Sequence, residues 1–171
     1  MRIRRSLNAL RALGGAAVVM NSAIGAAASP PVRVAIVDFD YTDTSNEPRN
    51  QTGEHARRLA DFVKTLRADI SATGRFTSVE IACASPPCTA GNTPAAALIG
   101  AAKAAGARLL VYGGIEKMST LIQWGKVQIV DLEADRLVDD KMITFRGDSD
   151  EAWAHAAAFV IEEIKDLDVS K

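Results

Sequence analysis

Two apolar runs constrain this chain more than anything else in it. They are Val32-Arg33-Val34-Ala35-Ile36-Val37 and residues 108–115. The first is continuous and rich in β-branched residues, the pattern of a strand buried in a sheet, and the second reads as an apolar strand with Gly113-Gly114 near its end. Residues 53–73 lie between them. Here Leu59, Val63, Leu66 and Ile70 recur at helical spacing and form one apolar stripe, and Gly74 supplies the stop. Residues 76–81 read as a second short strand. A second helix, mostly alanine, is expected from Thr93 as cap and Pro94 as first residue to a stop at Gly106.

After residue 115 the pattern changes. Strand-like segments at 121–132 and 137–145 follow with no helix between them, joined by a turn at 133–136. Gly125 marks an expected bulge, because the apolar alternation shifts phase around it. A last helix starts at Asp148, with Glu151 at capping-box spacing and a stripe of Trp153, Ala157, Val160, Ile164 and Leu167. The order is therefore β-α-β-α-β-β-β-α in one mixed α/β (α+β) domain. Parallel neighbours are expected in the first part and an antiparallel meander in the second, with helices covering the sheet. No internal repeat is visible.

Residues 1–28 stand apart. They carry Arg2, Arg4, Arg5 and Arg11 and no acid, then an apolar run over 12–24, and they close on Ala26-Ala27-Ala28 before Ser29-Pro30-Pro31. That is the layout of a secretory signal cleaved after Ala28. The run falls short of the ~20 residues that span a bilayer. Arg4-Arg5 leaves the twin-arginine route open beside general secretion. No cysteine sits at the cleavage point, which argues against a lipid anchor. Setting aside the leader's four arginines, 16 of the 20 basic residues face 21 acidic ones, a net charge of −5 over residues 29–171. An exported acidic domain is a poor match for nucleic acid. A single domain in the periplasm is the expectation, with no transmembrane segment in its mature form and no cofactor implied.

The chain has two cysteines, Cys83 and Cys88, in CASPPC. In an oxidising compartment such neighbours pair, and a structural disulfide pinning a loop is expected. A redox-active pair is disfavoured by the spacing and the lack of flanking basic residues. A metal site is disfavoured because both histidines lie far off in sequence.

Three groups of residues are candidates for function. Asp38-Phe39-Asp40-Tyr41-Thr42 follows an apolar strand and resembles the first motif of haloacid-dehalogenase-type phosphatases. In that reading Asp38 would be the nucleophile and Asp40 the general acid/base around Mg²⁺. Later strands lack the matching Lys and acidic residues, since Lys103 falls inside a helix. The competing reading has Asp38 and Asp40 end the strand and bind loop N–H groups. The second group joins two strands, from Gly114 to Ile122, and includes Lys117 and Ser119. The third runs from Phe145 to Trp153. Asp148 would cap the helix there, Asp150 and Glu151 would complement its dipole, and Trp153 would anchor it. Arg146 is left over as a bidentate carboxylate receptor. His55 and His155 read as exposed helix positions, and no nucleophile elbow or phosphate loop is present.

The segments VRVAIVDFDYTDTS (32–45), GARLLVYGGIEKMSTLI (106–122) and FRGDSDEAW (145–153), with the cysteine pair, resemble a proteobacterial family of short exported proteins of unknown function. In element order that family is similar to the TolB amino-terminal domain and to CsgG-type secretion proteins. The resemblance implies a mixed α/β domain and interactions in the periplasm or envelope, and no enzyme activity. The expected role is a non-enzymatic interaction or accessory module that docks a still unidentified protein through residues 117–122, the 146–153 corner or a sheet edge. The alternative is the Mg-dependent hydrolase on Asp38 and Asp40.

Overall fold

A computed structural model describes residues 29–169. Residues 1–28, expected above to be a secretory signal, lie outside the described residues. The elements run β1 (Val32–Ile36), β2 (Asp40–Asp43), α1 (Thr52–Ala72), β3 (Phe76–Val79), α2 (Ala95–Ala104), β4 (Leu109–Lys117), β5 (Ile122–Asp131), β6 (Arg136–Arg146) and α3 (Asp150–Lys165). They build a single sheet in the order β3-β1-β4-β5-β6, with β2 paired to β4. β1 is parallel to β3 and to β4, while β4-β5-β6 is an antiparallel meander. The mixed α/β architecture expected from the pattern change after residue 115 is the one observed.

One strand is new. The polar stretch after Tyr41 begins with β2, in line with β1 along the same edge of β4. β4 is nine residues long, and β1 covers only its first part. The interruption has a local cause. Val37 N–H still bonds Val111 O, but Asp38 N–H turns away to Cys88 O, and Phe39 inserts into the core. Pairing resumes at Asp40, opposite Gly114. Gly113 allows the close approach beside it, because a Cβ there would lie 2.2 Å from Lys126 O and 2.8 Å from the Phe39 ring.

Alternate residues of β1 point to opposite faces, and each face has its own core. Val34 and Ile36 join Phe62, Leu66 and Ile70 of α1 and Trp153, Val160 and Ile164 of α3. Burial of one such side chain is worth ~1.5–3 kcal/mol. Ala35 and Val37 join Leu98 and Ala102 of α2, with Leu110, Leu132 and Cys88. The small alanines of α2 allow it to lie close on the sheet. This second core includes no residue of β6 and only the far end of β5.

Several local expectations need correction. α2 is capped at Pro94 with no side-chain bond, and Thr93 instead donates to Asn92. The irregularity in β5 falls at Ile129/Val130, not at Gly125. Burial in β5 alternates strictly past Gly125, so the apparent phase change is a buried polar residue, Gln123, on the inner face. The left-handed glycines behave as expected, with Gly74 and Gly106 at φ +70° closing α1 and α2. Arg33 donates from β1 to Ala105 O and Gly106 O and so satisfies the end of α2.

Candidate functional site

The distinctive feature is a buried knot of charge under the β4–β5 hairpin. Lys117 closes β4 on the inner face, two residues beyond Ile115, and is fully buried. Its Nζ donates to Gln51 at 2.6 Å, to Asp148 at 2.9 Å and to Glu47 at 3.2 Å. Asp148 sits just before α3 and also pairs with His55 Nε2 at 2.8 Å and accepts from Arg58 at 2.8 Å. Gln123, on the inner face of β5, donates to Gly147 O at 2.9 Å and reaches toward Asp148 at 3.4 Å. Four parts of the chain are thus tied at one point: the β2–α1 connection, α1, the β4–β5 hairpin and the start of α3.

Electrostatics maintain the knot in its charged form. Burial alone would raise the Asp148 carboxyl, but hydrogen bonds and charge from His55 and Lys117 outweigh it and hold the group at about 2. Burial would likewise lower Lys117, yet Asp148 and Glu47 keep its pKa above the ordinary lysine value. Burial, together with the charges of Asp43 and Asp148, pushes the Tyr41 hydroxyl up, so it stays protonated. An aromatic wall borders the knot: Tyr41 lies 4.9 Å from the His55 ring and 6.0 Å from Trp153, which also contacts Phe62 and Phe145.

The candidate residues are therefore sorted differently than the sequence implies. His55, expected on an exposed helix face, is 2% exposed. Asp148 does not cap α3; Ser149 does, accepting from Ala152 N–H. Lys117 is sealed beneath the hairpin rather than offered to a partner. Ser119 accepts from the N–H groups of Leu121 and Ile122 and shapes the hairpin turn. Asp150 takes Arg57 and Arg58, Glu151 is exposed in the first turn of α3, and Trp153 is buried. Arg146 is exposed and makes no ion pair among the described residues. His155 is exposed as expected. Glu47 and Gln51 are members of the knot that the sequence did not single out. His55 had a legible signal, since it lies four residues before Leu59 on the stripe of α1.

Asp38 and Asp40 both receive loop N–H groups. Asp38 accepts from Cys88 N–H at 2.9 Å and Arg67 at 3.1 Å, and Asp40 accepts from Gly91 N–H at 2.8 Å. Cys83 and Cys88 are joined in a disulfide. Among the described residues no group of three or more His, Cys, Asp or Glu side chains is placed to hold a metal ion. None of the described helices is long and apolar enough to cross a membrane.

Above the knot, the hairpin tip exposes Met118, Leu121 and Ile122, with Leu121 69% exposed. Ile122 pairs across the ladder with Arg146. A sheet covered by α1 and α3 on one face and by α2 over part of the other, with this apolar tip, defines a mixed α/β domain with one rigid, unpartnered corner. Residues 32–164 match the family model DUF3280, described as a protein of unknown function (DUF2380), and the chain belongs to that family. No curated protein matches it. Among solved structures it is similar to TolB from Acinetobacter baumannii at 17% identity and TM-score 0.49. The match covers 80% of this chain but only 28% of that one, so the chain spans under a third of TolB. It is also similar to the PelC dodecamer from Paraburkholderia phytofirmans (17%, TM-score 0.48, 80% and 86% covered). A third is the LpoB C-terminal domain from Escherichia coli (16%, TM-score 0.47, 71% and 87% covered).

Proposed function

We propose that this chain is an exported, periplasmic accessory module of the cell envelope that works by docking a protein partner and not by catalysis. The observation that carries the reading is the apolar hairpin tip. Three large side chains, Met118, Leu121 and Ile122, are exposed at the tip, and Arg146, opposite Ile122, makes no ion pair among the described residues. Exposed clusters of this kind mark binding surfaces more than chance. The tip is not a loose loop, because Lys117 fixes its base from below and Ser119 fixes its turn. A rigid apolar feature with one cation at its rim loses little conformational entropy on binding. The leader-like segment 1–28 supports export.

In-cell crosslinking of the tagged protein, followed by mass spectrometry, tests this. A partner captured by the native chain and reduced at least five-fold by Leu121→Asp is the expected result, with thermal unfolding of the two proteins alike. Capture unaffected by Leu121→Asp overturns the tip as the docking surface. Fractionation with amino-terminal sequencing should find the chain in the periplasm beginning at Ser29. A cytoplasmic chain that retains residues 1–28 overturns export.

A further inference from the structure

Among the described residues β6 ends the sheet, with β5 as its one neighbour. Gly147 N–H donates to Leu121 O, and bonded and non-bonded pairs alternate along an antiparallel ladder. Following the register back, Phe145, Ile143 and Lys141 turn their backbone groups toward β5. Arg146, Thr144, Met142 and Asp140 turn theirs to the open side.

The two halves of this edge differ. The first half has the register irregularity opposite Ile129/Val130 and a row of charge, Asp139-Asp140-Lys141. Bulges and charges of this sort keep an edge from pairing. Residues 142–145 have neither. Beside them a groove of about 260 Å³ opens between β6 and α3, floored by Ile143, Phe145, Ala156 and Phe159. Phe159 is 48% exposed, and Met142, beside the groove and turned to the uncovered face, is 71% exposed. Arg146 follows at the end of β6 and is exposed.

We infer that residues 142–146 form a strand-addition site for an extended peptide of a partner protein, with apolar side chains at every second position and a carboxylate at the end that meets Arg146. The peptide backbone pairs with the outward groups of Met142 and Thr144. Side chains on a strand alternate between faces, so every second one falls on the α3 side, into the groove. Arg146 then takes the carboxylate bidentately. Pairing to a sheet edge for affinity, with pockets for alternate side chains, is an established mode of peptide recognition. A second copy of this chain is a poorer occupant. Its own residues 142–146 bring another arginine and no acid. This inference rests on the interaction-module reading and names the chemistry of the partner.

The test is selection of a displayed library of random octapeptides on the purified exported protein, with Thr144→Pro as counter-selection. Proline is tolerated on an edge strand where its missing N–H faces outward, so the β5 pairing survives. Enriched sequences should alternate apolar residues and contain an acid. Synthetic versions should bind at least ten-fold more weakly to Thr144→Pro and to Phe159→Ser, the second variant serving if the first unfolds. Arg146→Ala should weaken an Asp-ended peptide several-fold and leave its Asn-ended twin unchanged. No enrichment, or peptides that bind the native and substituted proteins equally, overturns the site. Concentration-dependent dimerisation abolished by Thr144→Pro overturns it in favour of a second copy. If selection fails while crosslinking still depends on Leu121, strand addition falls and the docking module stands.

Discussion

The parallel and antiparallel halves of the sheet are built on different principles. In β3-β1-β4 both faces are covered, and alternate residues of β1 enter two separate apolar cores. Such strands need no polar side chain, and residues 34–37 have none. In β5-β6 helices cover one face, and the inner row changes from Val127 and Ile129 to Gln123 near the hairpin. There the interior is closed by charge. The lesson is that one sheet can be sealed by oil at one end and by matched ions at the other, and the second seal is the more fragile when one member is removed. An apolar core loses contacts gradually, whereas a buried ion left without its partner carries its full desolvation penalty.

The sharpest way to break the comparison is Lys117→Met. It leaves the Asp148 and Glu47 carboxylates facing each other under the hairpin, and the expected loss is ~3–5 kcal/mol by denaturant titration. A loss under about 1 kcal/mol would mean the knot is not a structural seal.

Acid provides the next largest effect. Asp148 titrates lower in the folded chain, at about 2, than a free aspartate does. Its contribution is therefore complete above the unfolded value near 4 and is lost as pH falls toward 2. By linkage that contribution is ~2 kcal/mol. Hydrogen exchange at decreasing pH should show β5, β6 and the first turns of α1 losing protection before β1 and β3. Loss of protection in the reverse order would contradict the two-seal picture.

The smallest effect belongs to the uncovered face. Met142→Lys is expected to change stability by less than ~0.5 kcal/mol, as exposed substitutions do. A larger loss would show that the Met142 side chain is part of the packing.

The sequence reveals these two halves unequally. The element order apart from β2, both long helices and the glycine stops are legible because the helices follow from a local period: Leu66 and Ile70 on α1, Val160 and Ile164 on α3. The knot is not local. His55 and Asp148 are 93 residues apart, and only their meeting makes either one buried. Polar residue types suggest solvent in any reading by composition, so His55 reads as exposed and Asp148 as a cap. Position was the better guide. Lys117 continues the inward phase of Ile115, Gln123 that of Val127, and His55 the stripe of Leu59. β2 was hidden for a related reason, since its pairing depends on the length of β4 and not on its own pattern.

The placement of β1 has one more consequence. An interior strand of the sheet, β1, comes first in the described chain, yet its flanks, β3 and β4, arrive much later, with Arg33 held by Gly106 across 73 residues. During synthesis from the amino end, β1 stays unpaired on one side until β4 has emerged. Non-local pairing of this kind slows folding. It also means that a chain cut short before residue 109 leaves β1 with a bare flank on the β4 side.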